Sequence, residues 1–242
     1  MVRKKIDKYM IHENIKAERN LLLNIDNTMI MKLVKTFKDQ ARIYFLMEYI
    51  HGIDLFDAIR EIGVVDNEQS KFYMGCLTLA LEHLAEKRIV HRDLKPENVM
   101  VDTNGYAKLI DFGTAKIMKN RTYTIVGTPH YMAPEVIKGK GYNVSVDLWS
   151  LGIMLFEFIG GGVPFGEGFE DSYAVYEAVI HSPLRFPKMV PSNHPARQVI
   201  MKLINRNPSQ RGTAEGLKKD PWYKGMDWEA LSYHFITPNY KP

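Results

Sequence analysis

The chain has 242 residues, 45% hydrophobic and 25% charged, and its 32 basic and 28 acidic side chains leave a net charge of +4. These are globular values that allow one large domain or two small lobes, and they exclude a disordered or low-complexity chain. No basic tract is clustered enough to argue for a nucleic-acid partner. Cys76 is the only cysteine, which excludes an intrachain disulfide and a cysteine-based metal site. It suits a reducing compartment, so a cytoplasmic location is expected. The start, Met1-Val2-Arg3-Lys4-Lys5, leads into no apolar signal core.

In chain order, residues 11 to 24 read as a helix, with Ile11, Ile15 and Leu22 on one stripe and Glu18 on that same stripe. A carboxylate there either has a partner or snorkels to the edge. Two strands follow, Ile30 to Phe37 and Ile43 to Tyr49, around a Lys38-Asp39-Gln40 turn. Gly52 reads as a loose hinge. Asp66 reads as the N-cap of a long helix, with Glu68 in its first turn and Tyr73, Leu77, Leu81 and Leu84 as its buried stripe. Val99 to Val101 and Ala107 to Ile110 flank Asn104-Gly105, a hairpin signal. Residues 114 to 144 carry Gly127, Pro129, Gly139 and Gly141 with little periodicity and read as an extended loop. Val146 to Ile159 is apolar nearly all round. Its length, and its Asp147, Ser150 and Glu157, exclude a membrane span and predict a central core helix. Short helices then alternate with breaks at Pro183, Pro187, Pro191 and Pro195.

The chemistry lies in His91-Arg92-Asp93-Leu94-Lys95-Pro96-Glu97-Asn98 and in Asp111-Phe112-Gly113. Phosphoryl transfer needs metal ions to neutralise phosphate oxygens and a group to orient the attacking hydroxyl. Asp93 is the candidate base. Asn98 and Asp111 can present oxygen atoms to Mg²⁺, a hard cation, and Lys95 can neutralise the transferring phosphate. An isolated Asp-Phe-Gly reads equally well as a turn. The two motifs together, in this order, are far more specific.

With Gly127-Thr128-Pro129-His130-Tyr131-Met132-Ala133-Pro134-Glu135 after them, these motifs make the chain resemble the eukaryotic protein kinases over residues 6 to 236. Asp147-Leu148-Trp149-Ser150-Leu151-Gly152 looks like the start of that family's central helix, and Arg211 like the late arginine that pairs with Glu135. The resemblance implies an α+β bilobal fold: an incomplete N-terminal β lobe over 1–50, a complete, mainly helical lobe over 51–223, and the start of a C-terminal tail over 224–242. Lys95 and Gly127-Thr128-Pro129 resemble the serine/threonine type. Met226-Asp227-Trp228-Glu229-Ala230-Leu231 with Thr237-Pro238 resembles the AGC group. The run from Arg121 to Tyr131 is most similar to the cyclic-GMP-dependent kinases of protists, with cyclic-AMP-dependent kinases as the neighbouring branch.

The same resemblance implies ATP and Mg²⁺ as cofactors, protein substrates, and cyclic-nucleotide-binding domains in a full-length protein. Met47 is expected as the gatekeeper, Glu48 and Ile50 as backbone partners of adenine, and Met100 as the pocket floor; plain core packing suits each equally. Thr124 is expected as a phosphosite gripped by Arg92 and Lys116, against the alternative of an unmodified loop threonine. Asp54, Glu97 and Glu157 are expected to hold basic residues upstream of the target Ser or Thr, with Thr128 in the substrate-binding loop. Otherwise Asp54 and Glu157 are solvated surface charges.

One departure qualifies this picture. In the family, Glu18 pairs with a strand lysine whose usual interval falls before Met1, and Lys4 and Lys5 are too close to take that place. No Gly-x-Gly-x-x-Gly occurs in the 242 residues. The expectation is a basic-directed serine/threonine kinase, cyclic-GMP-dependent in its full-length form, whose 242 residues alone bind ATP poorly. It is either a piece of a longer kinase or a kinase-shaped scaffold. A small-molecule kinase fits the Gly127 to Glu135 loop less well, and a P-loop hydrolase is excluded because its Gly-x-x-x-x-Gly-Lys signature is missing.

Overall fold

The computed structural model describes residues 12–242; Lys4, Lys5 and Ile11 lie outside them. Helix α1 (His12–Leu23) buries Ile15, Leu21 and Leu22. Beside it, β1 (Leu33–Lys38) pairs antiparallel with β2 (Ile43–Met47), running from Leu33 opposite Met47 to Lys38 opposite Ile43. The Asp39 carboxylate closes the turn by accepting the Ala41 and Arg42 amides at 2.6 Å each. The strand expected from Ile30 to Phe37 is divided. Ile30 makes its own parallel bridge to Leu109, which ties the small sheet to the rest of the molecule.

A second sheet has the order β3-β5-β6, from β3 (Gly52–Asp54), β5 (Val99–Asp102) and β6 (Ala107–Leu109). Gly52 is therefore not a loose hinge. It opens β3, where a Cβ would collide with the Val101 carbonyl, so the glycine serves close backbone approach. Asp54 caps α2 (Leu55–Ile62), and Asp66 caps α3 (Asn67–Glu86) by accepting the Gln69 amide at 2.8 Å. Burial on α3 is wider than the expected stripe and adds Phe72, Met74, Cys76 and Ala80, because strands, helices and the closing segment all pack on it.

Residues 114 to 144 are not a featureless loop. β7 (Lys116–Ile117) pairs with β4 (Ile89–Val90), a 3-10 turn spans Pro129–Tyr131, and α4 is Pro134–Ile137. Pro129 and Pro134 occupy first helical positions, where their fixed φ favours the turn and their missing N–H costs nothing. Helix α5 (Ser145–Gly160) is buried on almost every side and forms the centre of the core. Helix α6 (Ser172–His181) packs on α4, α7 (Ala196–Leu203) packs on α5, and α8 (Ala214–Leu217) and α9 (Trp228–Ser232) pack on α3. The α+β architecture is as expected. No helix among the described residues is long and apolar enough to cross a membrane.

One ion pair joins the segment before α5 to the segment after α7. Arg211, 1% exposed, donates from its two terminal nitrogens to the two Glu135 oxygens at 2.6 and 2.8 Å. Its Nε donates to the Asn205 carbonyl at 2.8 Å, and its guanidinium lies 5.1 Å from the Trp149 ring. Removing one partner strands a buried charge, which costs about 3–5 kcal/mol. Urea denaturation of Arg211→Ala is expected to show a loss of that size.

Candidate active site

The site is anchored from α5. Asp147, 3% exposed, accepts the backbone N–H of His91 at 2.8 Å and of Arg92 at 2.9 Å. The two bonds hold Arg92 at φ 74°, in the left-handed region. The Arg92 carbonyl then lies where a Cβ on Gly127 (φ 121°) would strike it, so the glycine lets the two loops close on each other. The His91 ring reaches the Ile110 carbonyl at 3.2 Å, and Thr114 Oγ1 donates to the His91 carbonyl at 2.9 Å. His91 thereby joins the two motifs.

Asp93 sits at the middle of a polar network. Its Oδ1 accepts the Thr128 N–H at 2.9 Å and the Thr128 hydroxyl at 2.7 Å. Its Oδ2 accepts from the Asn98 amide nitrogen at 3.0 Å and lies 3.5 Å from Lys95 Nζ, which also donates to Thr128 Oγ1 at 2.8 Å. The amide nitrogen of Asn98 is thus committed to Asp93, and its carbonyl oxygen is left for another partner. Asp111, exposed at φ 57°, accepts the Gly113 N–H at 3.0 Å. No group of three or more His, Cys, Asp or Glu gathers as a metal cage among the described residues. The Asn98 and Asp111 oxygens suit a hard divalent cation that completes its shell with phosphate and water oxygens.

Glu18 and Asp111 line a cleft of about 420 Å³ with Leu22, Met31, Ile43, Phe45, Met47 and Phe112. Burial first, and the Asp111 charge second, push the Glu18 carboxyl above the ordinary carboxylate range. Glu18 therefore turns into the cleft, with no cation beside it among the described residues. Glu48, Ile50 and Met100 lie outside this lining. The Glu48 N–H donates to the Lys32 carbonyl, its side chain pairs with Lys108 at 2.9 Å, and Met100 is held in β5 opposite Asp54 and Lys108.

The model of the protein kinase domain matches residues 1–223. The chain belongs to the protein kinase family. It is 44% identical over 230 residues to a cGMP-dependent protein kinase of Plasmodium berghei, covering 93% of this chain and 27% of the relative. It is 40% identical to the cGMP-dependent protein kinase of Eimeria tenella, covering 95% of this chain and 23% of the relative. It is 39% identical to cAMP-dependent protein kinase type 3 of Saccharomyces cerevisiae, covering 95% and 58%. The chain thus spans about a quarter of the cGMP-dependent relatives' length. These matches agree with an AGC-type kinase.

In this kinase domain the expected grip on Thr124 is not formed. Lys116 Nζ donates to Thr122 Oγ1 at 3.1 Å and Arg92 Nε to the Thr114 carbonyl at 2.5 Å, while Arg92 Nη1 is buried without a partner. Thr124 is exposed, and its carbonyl accepts the Tyr142 hydroxyl at 2.5 Å. An unmodified Thr124 hydroxyl offers no charge, so both cations bond nearer oxygens. Of the acidic trio, Asp54 is already used as the α2 cap and accepts the Asp57 amide at 2.8 Å. Glu97 is exposed. Glu157 accepts the Tyr131 hydroxyl at 2.7 Å, and burial, with the charges of Glu97 and Glu167, raises its pKa against that bond. Glu167 lies in no motif that marks it, and Tyr131, though inside the Gly127 to Glu135 motif, was given no role from sequence. The anchoring by Asp147 had a signal, a lone carboxylate in the first turn of an apolar helix.

The raised Glu18 pKa sets a pH dependence. A raised acid binds its proton more tightly in the folded state, so stability is fullest below the unfolded pKa and falls as pH rises through the folded one. Glu18→Gln is expected to raise Tm at pH 7. The gain should vanish below about pH 4, where the unfolded carboxyl is protonated too; thermal denaturation at both pH values measures it.

Proposed function

We propose that the chain is the catalytic part of a serine/threonine protein kinase that moves the γ-phosphate of ATP to Ser or Thr hydroxyls preceded by basic residues. The observation that carries this reading is the Asp93 carboxylate, held by Thr128, Asn98 and Lys95, with Asn98 tied through the Ile110 amide to the segment of Asp111. ATP supplies the phosphoryl group and Mg²⁺ offsets the charge of its oxygens. Asp93 orients the substrate hydroxyl and takes its proton, and Lys95 steadies the negative charge that develops on the transferring group. Asn98 and Asp111 offer the metal ligands. Met47 closes the back of the adenine pocket, Glu48 and Ile50 offer backbone groups to the base, and Met100 lies beneath it.

Asp54, Glu97 and Glu157 would receive the upstream basic side chains, and Thr128 would release Asp93 to the incoming hydroxyl. Phosphorylated Thr124 would draw in Arg92, whose Nη1 already lacks a partner, together with Lys116. Residues 1–50 are read as the small lobe, 51–223 as the large lobe and 224–242 as the start of a tail. The names of the relatives support cyclic-nucleotide control, cGMP before cAMP, of the full-length protein; the cytoplasmic reading rests on the single cysteine. Taken alone, the 242 residues hold no Gly-rich phosphate cover. Each missing charge-assisted contact is worth about 1.5–3 kcal/mol, so weak ATP binding is expected. Glu18, with no cation beside it among the described residues, favours the second reading, a scaffold that does not turn over.

Radiolabelled transfer from γ-phosphate-labelled ATP to a serine peptide with upstream arginines tests both readings. Measurable transfer is expected, falling about 10²–10⁴-fold in Asp93→Asn. Glu157→Gln and Asp54→Asn, the latter keeping a good cap, should each lower kcat/KM about tenfold for the arginine peptide and leave an alanine peptide unchanged. No transfer under any condition supports the scaffold. Robust transfer by the 242-residue chain that Asp93→Asn abolishes contradicts the weak binding alone.

A further inference from the structure

Away from the Asp93 site, a cleft of about 300 Å³ opens between α4 and the start of α5. Arg121, Lys138, Lys140 and Arg206 line it. Arg206 is committed to the Val179 and Ser182 carbonyls, but its charge remains. The side chains of Arg121, Lys138 and Lys140 make no hydrogen bond or ion pair among the described residues, and all three are exposed. The lining holds one carboxylate, Glu135, which Arg211 already neutralises. In the adjoining cleft, Asp147 is taken up by the His91 and Arg92 amides. The positive charge of the cleft is therefore uncompensated.

A second observation points the same way. Ser145 begins α5 and lines both clefts. It is 9% exposed, and its Oγ is buried without a hydrogen-bond partner. Leaving a buried hydroxyl unsatisfied is unfavourable, and a ligand oxygen placed there supplies the missing bond. The first amides of α5 are already turned to Asn143 and Val144. A ligand would thus draw on the Ser145 hydroxyl, the free cations and the positive end of the sixteen-residue helix. That combination selects a compact, doubly charged anion with several acceptor oxygens.

We infer that this cleft is a binding site for a phosphate monoester dianion, distinct from the ATP site, gripped by Arg121, Lys138 and Lys140 and seated on Ser145. The dianion can come from a small phosphate or from a phosphorylated side chain of another protein. Calorimetric titration of the chain with inorganic phosphate, with a phosphoserine heptapeptide and with the same peptide unphosphorylated separates the two sources. Saturable one-to-one binding is expected for a phosphorylated ligand and none for the bare peptide. Lys138→Gln with Lys140→Gln should weaken binding at least tenfold, Ser145→Ala should weaken it severalfold, and Lys188→Gln with Lys241→Gln, which removes the same charge elsewhere, should leave it unchanged. Equal affinity for inorganic phosphate and the phosphopeptide would assign a small phosphate, and tighter binding of the phosphopeptide a phosphorylated partner. Absence of binding in both phosphate arms, or equal weakening in the control pair, would overturn the proposal.

Discussion

The Asp147 carboxylate is the contact on which the site's order rests. It sits in the first turn of the most buried long helix among the described residues and accepts two consecutive backbone amides of the loop that carries Asp93. A residue held at a left-handed φ, such as Arg92, costs on the order of 1–3 kcal/mol. The two bonds to a rigid acceptor offset that cost. Core packing around Trp149, Leu151 and Met154 is thereby transmitted to the loop: α5 cannot shift without moving His91 and Arg92. From His91 the order passes to Ile110 and Thr114, and so to Asp111.

The same contact has an electrostatic cost. Burial raises the Asp147 pKa, opposed by His91 and by the two amides. A buried carboxylate of this kind adds less to stability than it does to geometry, since well-packed apolar groups of similar volume are often as stabilising. The Glu135–Arg211 pair plays the complementary part on the other side of α5. It fixes the end of the Gly127 to Glu135 segment, so Thr128 reaches Asp93 from a firmly held strand of chain. Two buried carboxylates, one on the helix and one before it, set the two loops that meet at Asp93.

Much of this was legible in sequence where local signals and tertiary demands agree. Asp66 and the apolar stripe after it give α3, and Asn104-Gly105 gives the β5–β6 hairpin. Asn98 bonds Asp93, and its backbone carbonyl accepts the amide of Ile110, the neighbour of Asp111. The misreadings come from long-range contacts. Gly52 looked flexible because glycine usually is, but the approach of Val101, far along the chain, fixes its role. The stretch from 114 to 144 lacks periodicity because its order comes from pairing with Ile89 and Val90 and from the Thr122–Tyr142 bridge. Lys116 takes Thr122 rather than Thr124, a choice of neighbour that spacing does not encode. The cleft of Arg121, Lys138, Lys140 and Ser145 joins two segments whose charges look like ordinary surface charge along the chain.

Amide hydrogen exchange across residues 88 to 98, compared between the unaltered chain and Asp147→Ala, tests the central claim most directly, because it needs neither nucleotide nor substrate. The account predicts that the His91 and Arg92 amides, protected in the unaltered chain, exchange at least tenfold faster in the variant while α3 and the middle of α5 keep their protection. Equal protection of His91 and Arg92 in the two proteins would contradict it.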